Sequence, residues 1–312
     1  MRRVQAALCL SALFCGAARA EPQAAPEPGK ACELPMLASL DFRTTPQGMI
    51  SLPGAIDGHK GGILVDTGGT SAILGFAIAK QLANPIKPSG VGVAYLGGVD
   101  LHYGVRVDRF ELGTFPFEKV WFMVAPDRMM DGDLIGEIQP HALSGVNFEI
   151  DFVKGKFNLF GPGTCPGRIV YWTHEPYARV PMDVDPSGHI VVEAMLDGKP
   201  VKAYIDTGAQ GSQMSLKTAT HIFGIDEKNP AVKRLNDADV NGMVKAAIYR
   251  YPFTSLTFEG IEIKTPSIAI MDAGRTDTRG PELVLGMGAL RQLHLFIAYD
   301  EKMLYLTAAE AR

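Results

Sequence analysis

The tripeptide Asp-Thr-Gly occurs twice in this chain, at Asp66-Thr67-Gly68 and at Asp206-Thr207-Gly208. Each copy ends an apolar run, Ile63-Leu64-Val65 in one case and Ala203-Tyr204-Ile205 in the other. Such a run reads as a buried strand, and a glycine just after it as a sharp turn. Each aspartate therefore sits at a strand rim, where the backbone bends away and the carboxylate points outward. One such tripeptide carries little weight. Two, in matching flanks, constrain the whole chain.

The flanks match on both sides. Upstream of each copy, Asp-Gly lies between apolar runs, as Asp57-Gly58 and as Asp197-Gly198. That dipeptide signals a tight hairpin, so each aspartate is delivered by the second strand of a hairpin. Downstream, Leu134-Ile135-Gly136 follows the first copy and Val284-Leu285-Gly286 the second. Both halves end in a strand-turn-strand pattern, from Phe148 to Phe160 and from Leu295 to Leu306. A repeat of about 140 residues is too long for a solenoid unit and suits one small domain. The chain reads as a duplicated domain.

These residues resemble the bilobal aspartic peptidases of the pepsin/retropepsin type, in a form closer to bacterial members than to pepsin. The similarity covers nearly all of the chain after about residue 40 and rests on the two Asp-Thr-Gly loops and the two apolar-apolar-Gly strands. It implies an all-β acid-protease fold: two similar β-barrel lobes related by a pseudo-twofold axis, a few short helices, and the active site in the cleft between lobes. It implies Asp66 and Asp206 as the catalytic pair, supported by Thr67, Gly68, Thr207 and Gly208. It implies peptide or protein substrate, no cofactor and no metal. A mobile flap in the first half is placed at residues 89–98, with Tyr95, Gly97, Gly98 and Tyr103 as substrate contacts. The same residues also read as a plain Gly-rich surface hairpin. The equivalent stretch in the second half, residues 237–247, has fewer glycines.

The chain departs from the family pattern after each triplet. Where Ser or Thr is common, this sequence has Gly69 and Ala209, and Gln210 replaces an acidic or hydroxyl residue. Gln210 is a further candidate for substrate contact. Fewer hydroxyls to steady an ionised carboxylate imply a raised pKa for the pair and an optimum of roughly pH 4–6.

Residues 1–20 carry arginines, an apolar stretch and a closing Ala-Arg-Ala, which reads as a secretory signal peptide. The expectation is an exported protein, periplasmic or secreted. No later stretch has the apolar length of a membrane span. The leader holds three arginines and no acid, which leaves 27 basic against 34 acidic residues, a balance of −7. That argues against nucleic acid as a partner. Cys9 and Cys15 leave with the leader, and an oxidising compartment favours pairing the remaining Cys32 with Cys165; two free thiols are the alternative.

Residues 21–33, rich in Pro, Ala and Glu, read as an extended lead. The lobes are then 34–161 and 168–312, with a Gly- and Pro-rich linker at 162–167. Helical periodicity is confined to Phe76–Leu82, the neighbourhood of Ala142, Leu216–Phe223 and Gly288–Leu293. There is no His-Glu-x-x-His and no Gly-x-Ser-x-Gly; Gly286-Met287-Gly288 starts like a dinucleotide fingerprint but has Arg291 in place of the third glycine. An endopeptidase that needs no oligomer is the leading reading. A protease-like module that binds peptide or protein without cutting it is the alternative, and a structural pair of β-lobes is the third. Two exposed carboxylates in mutual repulsion have no use in a purely structural protein.

Overall fold

The computed structural model describes residues 34–94, 100–143, 145–163, 169–235, 237–240, 244–272 and 281–309. They are mostly β, with short helices at Phe76–Ala79, Pro140–Leu143, Leu216–Thr218 running into Ala219–Phe223, and Met287–Leu290. These four fall on or overlap the stretches of local helical periodicity, whereas a further single turn at Asp127–Met129 lies outside them. Among the described residues, no helix is long and apolar enough to cross a membrane.

Each half begins with the same hairpin. Ile50–Ile56 pairs with His59–Val65, and Ile190–Leu196 pairs with Lys199–Ile205. The turns place Asp57 and Gly58 at φ 44° and 88°, and Asp197 and Gly198 at φ 46° and 75°. Positive φ at both central residues is the tight turn whose twist matches paired strands, and Asp-Gly is the sequence that adopts it readily. The turn aspartates also do matching work. Asp57 accepts the Arg109 amide at 2.7 Å, and Asp197 accepts the Thr254 and Ser255 amides at 2.8 and 2.9 Å.

The second strand of each hairpin lies between two partners. On its far side it pairs in parallel with the apolar-apolar-Gly strand: His59–Val65 with Leu134–Ile138, and Lys199–Ile205 with Leu283–Leu285. The end of the first such strand, Gly62–Val65, is buried on both faces, as its unbroken apolar run requires; the second such strand alternates, with Val201, Ala203 and Ile205 buried and Lys202 exposed. Ile63, Val65, Ile138, Ile205 and Leu285 are all buried in the core. A further short strand, Ile73–Gly75 or Ser212–Ser215, packs antiparallel on the same element. Gly136 and Gly286 lie there because the chain crosses other backbone: a Cβ on Gly136 would sit 2.8 Å from the Ile73 carbonyl, and one on Gly286 would collide with Gly211.

The terminal hairpins of the two halves join. Asn147–Asp151 with Lys156–Phe160 meets Leu293–Ala298 with Met303–Ala308 through antiparallel pairs Phe148↔Ile297, Glu149↔Phe296, Ile150↔Leu295 and Asp151↔His294. Met36–Asp41 and Ala178–Val184 extend this sheet at its two sides. It forms a common floor for both halves. A buried polar cluster crosses it: Glu149 accepts from Asn158 at 2.7 Å and Tyr171 at 2.5 Å, and meets His294 Nε2 at 2.6 Å. Trp172 stacks flat on His294 at 4.1 Å. Together these contacts pin the chain after the linker onto the floor.

Candidate active site

The two Asp-Thr-Gly loops interlock. The Thr67 amide donates to Thr207 Oγ1 at 3.1 Å, and the Thr207 amide to Thr67 Oγ1 at 3.0 Å. The Thr67 hydroxyl then donates to the Ile205 carbonyl and the Thr207 hydroxyl to the Val65 carbonyl, both at 2.6 Å. Each threonine thus grips the strand end that delivers the opposite aspartate. Thr67 and Thr207 are essentially inaccessible, so these bonds satisfy groups that water cannot reach.

The grip turns the carboxyls toward each other. Asp66 and Asp206 are 6% and 7% exposed, a small opening on an otherwise closed site. A Cβ on Gly68 would strike the carboxyl of Asp206, and one on Gly208 the carboxyl of Asp66. Glycine is required at both positions because the opposing carboxylate occupies that space. The Gly68 amide donates to Asp66 Oδ1 at 2.8 Å. Asp206 Oδ1 accepts two amides, Gly208 at 2.9 Å and Ala209 at 3.0 Å.

Both carboxyls are raised from 3.8 to about 7. Burial is the main cause for each. For Asp66 the charge of Glu137 adds to it, and for Asp206 the charge of Asp66 does. The upward direction agrees with the expectation from Gly69 and Ala209, but the reason differs. The Ala209 backbone amide reaches Asp206 without any hydroxyl, and burial outweighs the local hydrogen bonds.

Two groups near the pair carry no motif. Glu137, one residue past the apolar-apolar-Gly run, is 3% exposed and hydrogen-bonds Asp66. His189 ends the turn before the second hairpin; its Nε2 donates to the Gly68 carbonyl at 2.9 Å, and its Nδ1 faces Asp185 at 3.0 Å. Tyr204 donates to Asp185 at 2.8 Å and lies against the His189 ring. Burial pushes the Asp185 carboxyl up, but the bonds from His189 and Tyr204 outweigh it and hold it below its ordinary value. Aligning the two repeats would have flagged Glu137, since it stands opposite Met287 in a strand that is otherwise apolar. The long-range contact of His189 leaves no pattern in sequence.

The remaining candidates spread out. Lys87–Ala94 pairs with Asp100–Leu112 as two arms of a hairpin; Tyr95, Gly97 and Gly98 lie outside the described residues. Tyr103, on the second arm, is exposed and lines a groove of about 730 Å³ with Phe76, Ile86, Leu101, Val124 and Asp127. Among the described residues, neither aspartate lines that groove. A second hairpin, Ala238–Val240 with Val244–Arg250, occupies the matching position in the other half. The Gln210 carbonyl accepts the Gly288 amide at 3.0 Å at the start of Met287–Leu290, and the residue is exposed. Cys32 and Cys165 lie outside the described residues.

Comparison with known families matches each half separately. A model described as aspartyl protease matches residues 192–289, and one described as gag-polyprotein putative aspartyl protease matches residues 52–137. Each match runs from the delivering hairpin through the apolar-apolar-Gly tripeptide, so each contains one Asp-Thr-Gly loop. No curated protein matches the chain.

Proposed function

We propose that this chain, a retropepsin-like aspartic peptidase in both of its halves, is an endopeptidase that hydrolyses peptide bonds with a water activated between Asp66 and Asp206. The observation that carries the reading is the crossed threonine grip, which sets two buried carboxyls face to face across the junction of the halves.

Two carboxylates this close cannot both ionise easily, so the pair holds one proton between them. Asp206 receives two backbone N–H donors where Asp66 receives one, so the negative charge is better supported on Asp206. In this reading Asp206 takes a proton from the water as its oxygen attacks the peptide carbonyl. Protonated Asp66 polarises that carbonyl. The resulting tetrahedral species collapses as the leaving nitrogen receives a proton from the pair. Both carboxyls come from one chain, so a second copy is not needed to complete the site. The leader-like residues 1–20 support action outside the cytoplasm.

The test is incubation of purified protein with a mixed peptide library from pH 3 to pH 8, with new termini read by mass spectrometry. Internal cleavage products are expected. Intact peptides at every pH would reject the endopeptidase in favour of a module that binds without cutting.

A further inference from the structure

A third carboxyl lies inside the site. Glu137 follows Gly136, the residue paired with Ile63 beside the first Asp-Thr-Gly loop. Its side chain runs under Gly69: a Cβ there would sit 3.2 Å from Asp66 Oδ2 and 3.3 Å from Glu137 Oε1. The two carboxyl oxygens therefore flank the space that any side chain at position 69 would fill. The second half is built differently at the same two places, with Ala209 for Gly69 and the buried thioether of Met287 for Glu137.

We propose that Glu137 is a positioning residue of the catalytic pair: its carboxylate accepts a hydrogen bond from the outer oxygen of Asp66, holds that carboxyl in place and favours its protonated form. This rests on the proposed dyad mechanism. Glycine at 69 is what admits it, since a larger residue there would press on both oxygens. The charge of Glu137, second only to burial, and its hydrogen bond both raise the Asp66 carboxyl, against the Gly68 amide and the bond with Asp206, which lower it; that bond and the charge of Asp66 raise Asp206 in turn. Among the described residues, the other titratable groups linked to this side of the site are Asp206 on the facing loop and His189 on the Gly68 carbonyl, with Asp185 and Tyr204 behind it. The neighbouring elements Ile73–Gly75 and Met287–Leu290 bring no charge.

The experiment follows carboxyl carbon shifts by NMR, so it does not depend on turnover. In the wild-type protein the Asp66 and Glu137 curves should each carry the other's inflection, as coupled acids do. In Glu137→Gln, a neutral isostere, the Asp66 midpoint should fall by about 1–2 pH units. The alkaline limb of kcat/KM should move down with it. Single, independent inflections in the wild type would overturn the proposal. So would a folded Glu137→Gln protein whose Asp66 midpoint stays in place. If instead the wild type shows coupled curves but cuts nothing, Glu137 keeps its place and the endopeptidase reading fails.

Discussion

Asp66→Asn and Asp206→Asn should each lower kcat/KM by about 10³-fold or more, because the reaction uses one carboxyl as base and the other as acid. The same substitutions should not harm the fold. Both aspartates have pKa values raised to about 7 from 3.8, so ionising them costs the folded protein. That cost sets in as pH rises above 3.8 and is complete above about 7. Removing one carboxyl removes the repulsion, so each Asn variant should melt at a higher temperature than wild type at pH 8 and gain less at pH 4. Peptide kinetics and thermal melts at two pH values check both halves of this prediction. A variant that keeps near-normal turnover would remove its aspartate from the mechanism.

The second large effect belongs to the grip. Thr67→Val and Thr207→Val keep the shape of the side chain and delete a hydroxyl that both donates and accepts. Each leaves one buried amide and one buried carbonyl without their partner. At about 1–3 kcal/mol per unsatisfied group, either variant should lose about 2–6 kcal/mol. The carboxyls would also lose their fixed approach, and misplacement of about 1 Å is worth about 10²-fold in rate. Urea unfolding and kcat measure the two losses separately. Thr→Ser should restore most of both, since the hydroxyl returns. A Val variant with unchanged stability would show that the crossed bonds contribute nothing to the fold.

Much of this was legible from residues alone, and the reason is local. Asp-Gly between apolar runs specifies its own turn, and the positive φ values at Asp57, Gly58, Asp197 and Gly198 are what that dipeptide favours. The apolar runs at residues 63–65 and 283–285 announce strands, the first of them buried on both faces. Duplication then made each half a check on the other. What sequence could not show depends on contacts between distant residues. Nothing near His189 points to a carbonyl 121 positions earlier, at Gly68. Glu137 carries no motif of its own, and a single acid beside an apolar run ordinarily reads as a solvated strand end. At Gly69 the sequence shows only a missing hydroxyl; the crowding a side chain there would meet, from Asp66 Oδ2 and Glu137 Oε1, comes from residues far apart in the chain. The joined floor was half visible: both terminal hairpins were evident, but their pairing through Phe148 and Ile297 was not.

The most direct test of the shared-proton pair is the pH dependence of kcat/KM on a single peptide, with Asp206→Asn as control. The account predicts a bell whose falling limb lies near pH 7, set by two carboxyls that burial raises together. In the control, activity is lost across the whole range. An activity that climbs steadily through pH 8, or that survives Asp206→Asn, would contradict it.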